Sequence, residues 1–209
     1  PNRLEALKGV ATNFVNKRPN DRIGIVVYAG ESFTQTPITS DKHIVINTIR
    51  KLRWGDLEGG TAIGMGLGSA VNRLKDSKAK SKIIILLTDG VNNSGFIDPK
   101  IASELAVEYG IKTYTIGLGT NGMALSPVAI RNGKIQYSRI QVEIDEKLLK
   151  EIAQGTGGKY FRATNNKKLE TNLNSLKHTY SHPDLHSQTP AEKMSSYCQV
   201  SFIVRSLTL

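Results

Sequence analysis

Asp89 is the residue of this 209-residue chain best placed to do chemistry. It ends the apolar run Ile83-Ile84-Ile85-Leu86-Leu87-Thr88 and opens Gly90-Val91-Asn92-Asn93-Ser94-Gly95, a stretch of turn formers. A carboxylate at the carboxyl end of a strand stands where open α/β sheets hold their ligands. Taken alone, Asp89-Gly90 is also a common turn dipeptide. Thr61 follows Gly59-Gly60 and precedes a helical pattern, so by itself its hydroxyl reads as a helix cap. His178, His182 and His186 would share one face of a continuous helix, as a metal site needs, but Pro183 interrupts that geometry. His43 stands alone on an expected helix surface. Ser32, Ser94 and Cys198 are nucleophile types with no histidine placed to act as base, and Ser94 is not in a G-x-S-x-G turn. Gly64-Met65-Gly66-Leu67-Gly68 falls inside a helix pattern with no Walker lysine after it, so close packing explains it better than a nucleotide.

Composition narrows the classes further. Hydrophobic residues make up 39% and charged residues 22%, which suits one globular domain with a real core. No apolar run approaches the roughly 18 residues of a membrane span. A single cysteine excludes an internal disulfide framework and fits neither a redox pair nor a zinc site. The net charge is +10, and its densest cluster runs from Lys75 to Lys82. That cluster lacks the interleaved aromatic residues that base stacking needs, so a solvated loop is expected and nucleic acid is not.

The elements that must position Asp89 and Thr61 follow from periodicity. Leu4, Leu7, Val10, Ala11, Phe14 and Val15 mark a helix over 3–16. Ile23 to Ala29 is an almost unbroken β-branched run, the pattern of a strand buried on both faces. A short antiparallel edge strand is expected at 32–36, with helices at 42–52 and 62–74. The run 83–88 predicts a strand, and a helix over 99–109 is capped by Asp98 with Pro99 in its first position. Strands at 112–117 and 159–163 flank a hairpin around Asn132-Gly133 and a helix capped by Asp145. Alternating strands and helices imply a three-layer, doubly wound α/β fold with a mostly parallel sheet. Residues 178–209 show no sustained period and are expected to be an irregular tail, either non-native or disordered. The strand-like Ser201-Phe202-Ile203-Val204-Arg205 within them has no assignable place.

Four segments in order resemble the von Willebrand factor A domain. They are Arg22–Ala29, Gly59-Gly60-Thr61-Ala62-Ile63-Gly64, Leu86-Leu87-Thr88-Asp89-Gly90-Val91-Asn92 and Ile116-Gly117-Leu118-Gly119. Residues 32–41, the Asn132-Gly133 hairpin and the runs 144–153 and 156–161 resemble the Bacteroides aerotolerance (Bat) branch, of the BatA type. The resemblance spans residues 1–177. It implies a non-enzymatic module that binds partners through a divalent cation, Mg²⁺ or else Ca²⁺ or Mn²⁺, in an adhesion site. Thr61 and Asp89 match two of the family's ligands, and Gly60 and Asn92 are expected on the partner-binding surface beside them.

The family's D-x-S-x-S loop, which follows its central first strand, does not occur in the chain. The site is therefore expected to be incomplete, with weak or no metal binding, because Mg²⁺ needs several hard oxygen donors. The sheet is expected to lack its central strand, leaving 22–29 and 83–88 without their shared neighbour and the domain less stable. The opening Pro1-Asn2-Arg3 has neither Met nor a signal pattern and reads as a cut inside a longer protein. Resemblance further implies a protein partner in a bacterial envelope complex, engaged through a carboxylate. It also implies association with the inner membrane through segments outside this chain, with the domain itself soluble and periplasmic. A metal-independent scaffold is one alternative. A phosphoryl-transfer enzyme using Asp89 is another, but it lacks a second strand-end carboxylate and a phosphate loop.

Overall fold

In Arg22–Tyr28 (β1) every residue after Arg22 is buried, and in Ser81–Thr88 (β3) every residue after Lys82 is. Strands buried on both faces require cover on both sides. The computed structural model, which describes residues 3–53, 57, 59–119, 121–131, 134–176 and 198–205, shows how that cover is built. The remaining strands are β2 (Ser32–Thr39), β4 (Ile111–Leu118), β5 (Gly122–Arg131), β6 (Lys134–Val142), β7 (Tyr160–Ala163) and β8 (Cys198–Arg205). The main sheet has the order β2-β1-β8-β3-β4-β7, and β5 and β6 form a separate hairpin. Among the described strands of the main sheet, β2 alone is antiparallel to its neighbour; β1, β8, β3, β4 and β7 all run one way.

Among the described residues six helices supply the outer layers: α1 (Arg3–Asn16), α2 (Lys42–Lys51), α3 (Ile63–Leu74), α4 (Pro99–Glu108), α5 (Glu146–Gly155) and α6 (Asn166–Ser175). On one face Phe14, Val15, Val45, Ile49 and Leu173 pack on Ile23, Ile25, Ile83 and Ile85. On the other Leu67, Val71, Ala102, Ala106 and Leu149 pack on Val26, Tyr28, Ile84 and Leu86. Alternate residues of each strand thus feed opposite cores, as the period of two dictates. Gly64 of α3 serves packing: a Cβ there would run into the backbone of Ile97, so α3 approaches the loop before α4 closely.

The expected gap between β1 and β3 is filled, and this corrects two expectations. Cys198–Arg205 is a strand, not irregular tail, and it lies parallel to both neighbours, with Val200 in register with Ile23 and with Ile83. The deficit in stability expected from an open sheet centre does not follow, because both ladders are paired. Two rows of buried N–H and C=O groups would be costly without a partner, so an extended segment that bonds both is strongly favoured there. Val200 joins the core, while Ser201 is buried with a hydroxyl that has no hydrogen-bond partner among the described residues.

A second element outside the sequence-based expectations is α6. The Asn165 side chain accepts from the Lys168 N–H as its N-cap, and Leu169 and Leu173 bury its inner stripe. The hairpin at 132–133 pairs as expected, from Gly122 opposite Val142 to Arg131 opposite Lys134, although Asn132 and Gly133 themselves lie outside the described residues. So do His178, His182 and His186.

Candidate metal centre at the carboxyl edge

Because the inner strands are parallel, their carboxyl ends form one edge, and three loops meet there. Asp89 is the first residue after β3 and is half-buried. Thr61 lies just before α3 and is fully buried. Two asparagines bind their loops together. The Asn93 side-chain oxygen accepts from the Thr61 N–H at 2.8 Å, and the Asn93 N–H donates to the Thr61 carbonyl at 3.0 Å. The Asn92 side-chain oxygen accepts from the Ile63 N–H at 2.8 Å, satisfying an orphan donor in the first turn of α3. The Ala62 N–H donates to the Ala29 carbonyl at 2.6 Å, which joins the turn after β1 to the same assembly. Thr61 and Asp89 therefore stand on loops tied to each other at one end of the molecule.

Gly60 is required where it sits. Its φ of +113° lies in a region that L side chains rarely adopt, and a Cβ would collide with the Ser94 side chain. Asn92 spends its carbonyl oxygen on the backbone of α3, so its position is fixed from within. Ser32 bonds to the Met65 carbonyl and to Ser69, and Ser94 to Asn93, so both hydroxyls are tied into structural contacts. Two residues here escaped the sequence-based expectations. Asn93 is the main clamp, and only its place in a turn-forming run hinted at it. Phe96 is 87% exposed in the loop leading to α4, and no periodicity marks such a residue.

One atom stands out in this frame. Thr61 Oγ1 is buried and has no hydrogen-bond partner among the described residues. An unsatisfied buried hydroxyl costs on the order of 1–3 kcal/mol, so its persistence at a strand-end loop suits a ligand that would complete it. The donor set limits that ligand. Thr61 offers a neutral oxygen and Asp89 an anionic one, two corners of an octahedral magnesium shell. Among the described residues no group of three or more His, Cys, Asp or Glu gathers to supply the rest. The residues present fit part of a metal shell and no more.

Comparison with known proteins agrees with this architecture. The profile of the von Willebrand factor type A domain matches residues 1–175. An uncharacterised protein of Borreliella burgdorferi is 34% identical over 160 residues, covering 77% of this chain and 47% of that protein. The chain spans about half the length of the first curated relatives it matches. Among solved structures, an aerotolerance-related membrane protein from Bacteroides fragilis is 27% identical with a TM-score of 0.71, covering 86% of this chain and 90% of that one. BatB from Bacteroides thetaiotaomicron is 29% identical with a TM-score of 0.73, covering 85% and 88%. Proximal thread matrix protein 1 of the mussel byssus, with zinc in its adhesion-site motif, shares the fold at 23% identity and a TM-score of 0.65, covering 84% of this chain and 40% of that one. Among the described residues no helix is long and apolar enough to cross a membrane. With the ordered motifs, the parallel sheet and the profile match all in agreement, the chain belongs to the von Willebrand factor type A domain family.

Proposed function

We propose that this chain is a non-enzymatic protein-interaction module of a Bat-type, aerotolerance-related protein, and that it receives an acidic group of a partner protein at the carboxyl edge of its sheet. The supporting observation is the buried Thr61 Oγ1, without a hydrogen-bond partner among the described residues, on a loop that Asn93 clamps to the loop opened by Asp89. A divalent cation, Mg²⁺ in the first place, would be held there by Thr61 and Asp89. It would supply a positive charge able to bridge Asp89 to a partner carboxylate, with water in the remaining positions. With two protein donors its affinity is millimolar at best, on the order expected for a weakly dehydrated ion. Gly60 lets the partner approach the backbone, and Asn92 holds the first turn of α3 in place beneath it. Phe96 adds an exposed aromatic surface of the kind enriched at interface centres. The parent protein is placed in a bacterial envelope complex, held at the inner membrane by segments outside this chain, with the domain on the periplasmic side.

Manganese tests the site even when binding is weak, because the bound paramagnetic ion broadens nearby amide signals. Titration with Mn²⁺ should broaden the amides of Thr61 and of residues 89–93 only at millimolar ion. Asp89→Ala should abolish that local broadening, and Thr61→Val should weaken it without unfolding the domain. Broadening unchanged in Asp89→Ala would overturn the proposal, and saturation at micromolar ion would show that further ligands exist.

A further inference from the structure

The opposite edge, where the parallel strands begin, is predominantly basic. Arg22 opens β1 and Lys82 is the second residue of β3, and both are in register with Gln199 of β8. Lys112 enters β4 one residue further on, in register with Ile83. Neighbouring strands are about 4.8 Å apart, so this row spans roughly 14 Å from β1 to β4. The loop leading into β3 adds Lys75, Lys78 and Lys80. Arg22, Lys78, Lys80 and Lys112 are exposed, and Lys75 and Lys82 are half-buried. None of the six forms an ion pair among the described residues, whereas Lys100, Lys150 and Arg162 elsewhere are all paired with carboxylates. Among the described residues Asp76 lies in the same loop and Glu108 ends α4 shortly before β4, both exposed, and Asp21 is buried against Arg18.

Part of this charge has a local explanation. Lys75 closes the C-terminus of α3, where a cation offsets the negative end of the helix. That effect fades within the last turn, so it does not account for Lys78, Lys80, Lys82, Arg22 or Lys112. We propose that this basic amino edge docks the domain onto an anionic phospholipid surface, with the carboxyl edge and its site turned away from the membrane. Five of the six residues are lysines, compact point charges suited to a diffuse layer of headgroups rather than to forked recognition of one phosphate. They are spread along a row of strand starts and one adjoining loop, the layout of a contact with a surface. Nucleic acid is the poorer match: the 75–82 loop carries no aromatic residue for stacking, and the ends of strands present neither a helix nor a ribbon to a groove.

The test is co-sedimentation of the full chain with vesicles of phosphatidylcholine alone and with a third of phosphatidylglycerol. Binding should need phosphatidylglycerol and fall away at high salt. The triple variant Lys75→Glu, Lys78→Glu, Lys80→Glu should bind about tenfold or more weakly, since each basic residue near an anionic surface contributes measurably. A control with the same change in net charge, Lys147→Glu, Lys167→Glu, Lys168→Glu at the carboxyl edge, should bind as the parent does. Equal loss in both variants would mean that net charge alone acts and would overturn the proposal. Equal binding to uncharged vesicles, or binding to duplex DNA at salt that releases the vesicles, would overturn it as well.

Discussion

The two ends of the sheet hold their polar groups by different means, a buried ion pair at one and side-chain amides on loop backbone at the other. At the amino end Arg18 and Asp21 are both buried and meet at 3.1 Å, and the Arg18 guanidinium stacks 4.3 Å from the Phe14 ring centroid. The Lys42 ammonium donates to the Asp21 carbonyl and closes the knot. Burial holds the Lys42 ammonium below the usual lysine range, against the opposing pull of Asp21. At the carboxyl end asparagine side chains bind loop backbone, yet Thr61 Oγ1 is left without a partner. One end locks the turn from α1 into β1; the other leaves a hydroxyl oxygen without a partner on a loop. An unsatisfied buried hydroxyl is not in itself a site, as Ser201 inside the sheet shows; Thr61 differs in standing on a strand-end loop, where a ligand could reach it.

Both ends depend on the strand between them, so the largest effect should come from removing it. A chain ending at residue 197 loses β8 and leaves β1 and β3 without their shared neighbour. Its thermal melt should lose cooperativity, and a melt like that of the full chain would show that β8 is dispensable. Asp21→Ala should come next, at about 3–5 kcal/mol in chemical denaturation, because it leaves the Arg18 charge buried beside Phe14. Asn93→Ala should cost about 1–3 kcal/mol, since the buried Thr61 N–H loses its acceptor, and amide exchange should quicken around residue 61. Thr61→Val should stay within about 1 kcal/mol of the parent, or gain slightly, because the hydroxyl it removes has no partner. A large loss there would place Thr61 with Asp21 among structural residues and break the contrast between the ends. The smallest effect belongs to the exposed Lys100–Glu151 pair, 3.0 Å apart. The hydrogen bond from Lys100 holds the Glu151 carboxyl below its ordinary range, a contribution present at neutral pH and lost as pH falls through that depressed value. Lys100→Ala should raise the Glu151 titration in NMR and leave the melting temperature unchanged.

Elements governed by local pattern were legible before any coordinates. Ile83 to Leu87 could only be an interior strand, and Asp98-Pro99 announced the start of α4, whose Lys100 N–H the Asp98 side chain accepts. The Asp145 cap and the hairpin around 132–133 were equally local. α6 was missed because its apolar content is sparse: Leu169 and Leu173 are its buried residues, and the rest of the stretch is polar. Motif order pointed to Thr61 and Asp89 as candidate ligands, and their loops do meet, whereas the clamp role of Asn93 was not legible. Its hydrogen bonds join residues 32 positions apart, and no window on the sequence sees such a bond.

Residue type and spacing alone determined the layer order of this protein, the strand-end position of Asp89 and the glycine that must precede Thr61. Periodicity fixes which face of an element is apolar, and backbone chemistry fixes where a turn requires glycine. Tertiary structure alone decided what fills the centre of the sheet. Cys198–Arg205 mixes Gln199 and Ser201 with apolar residues and has no sequence neighbour to define its register. Its place is set by two distant strands whose unpaired hydrogen-bonding groups it satisfies at once, which is a property of the assembled sheet.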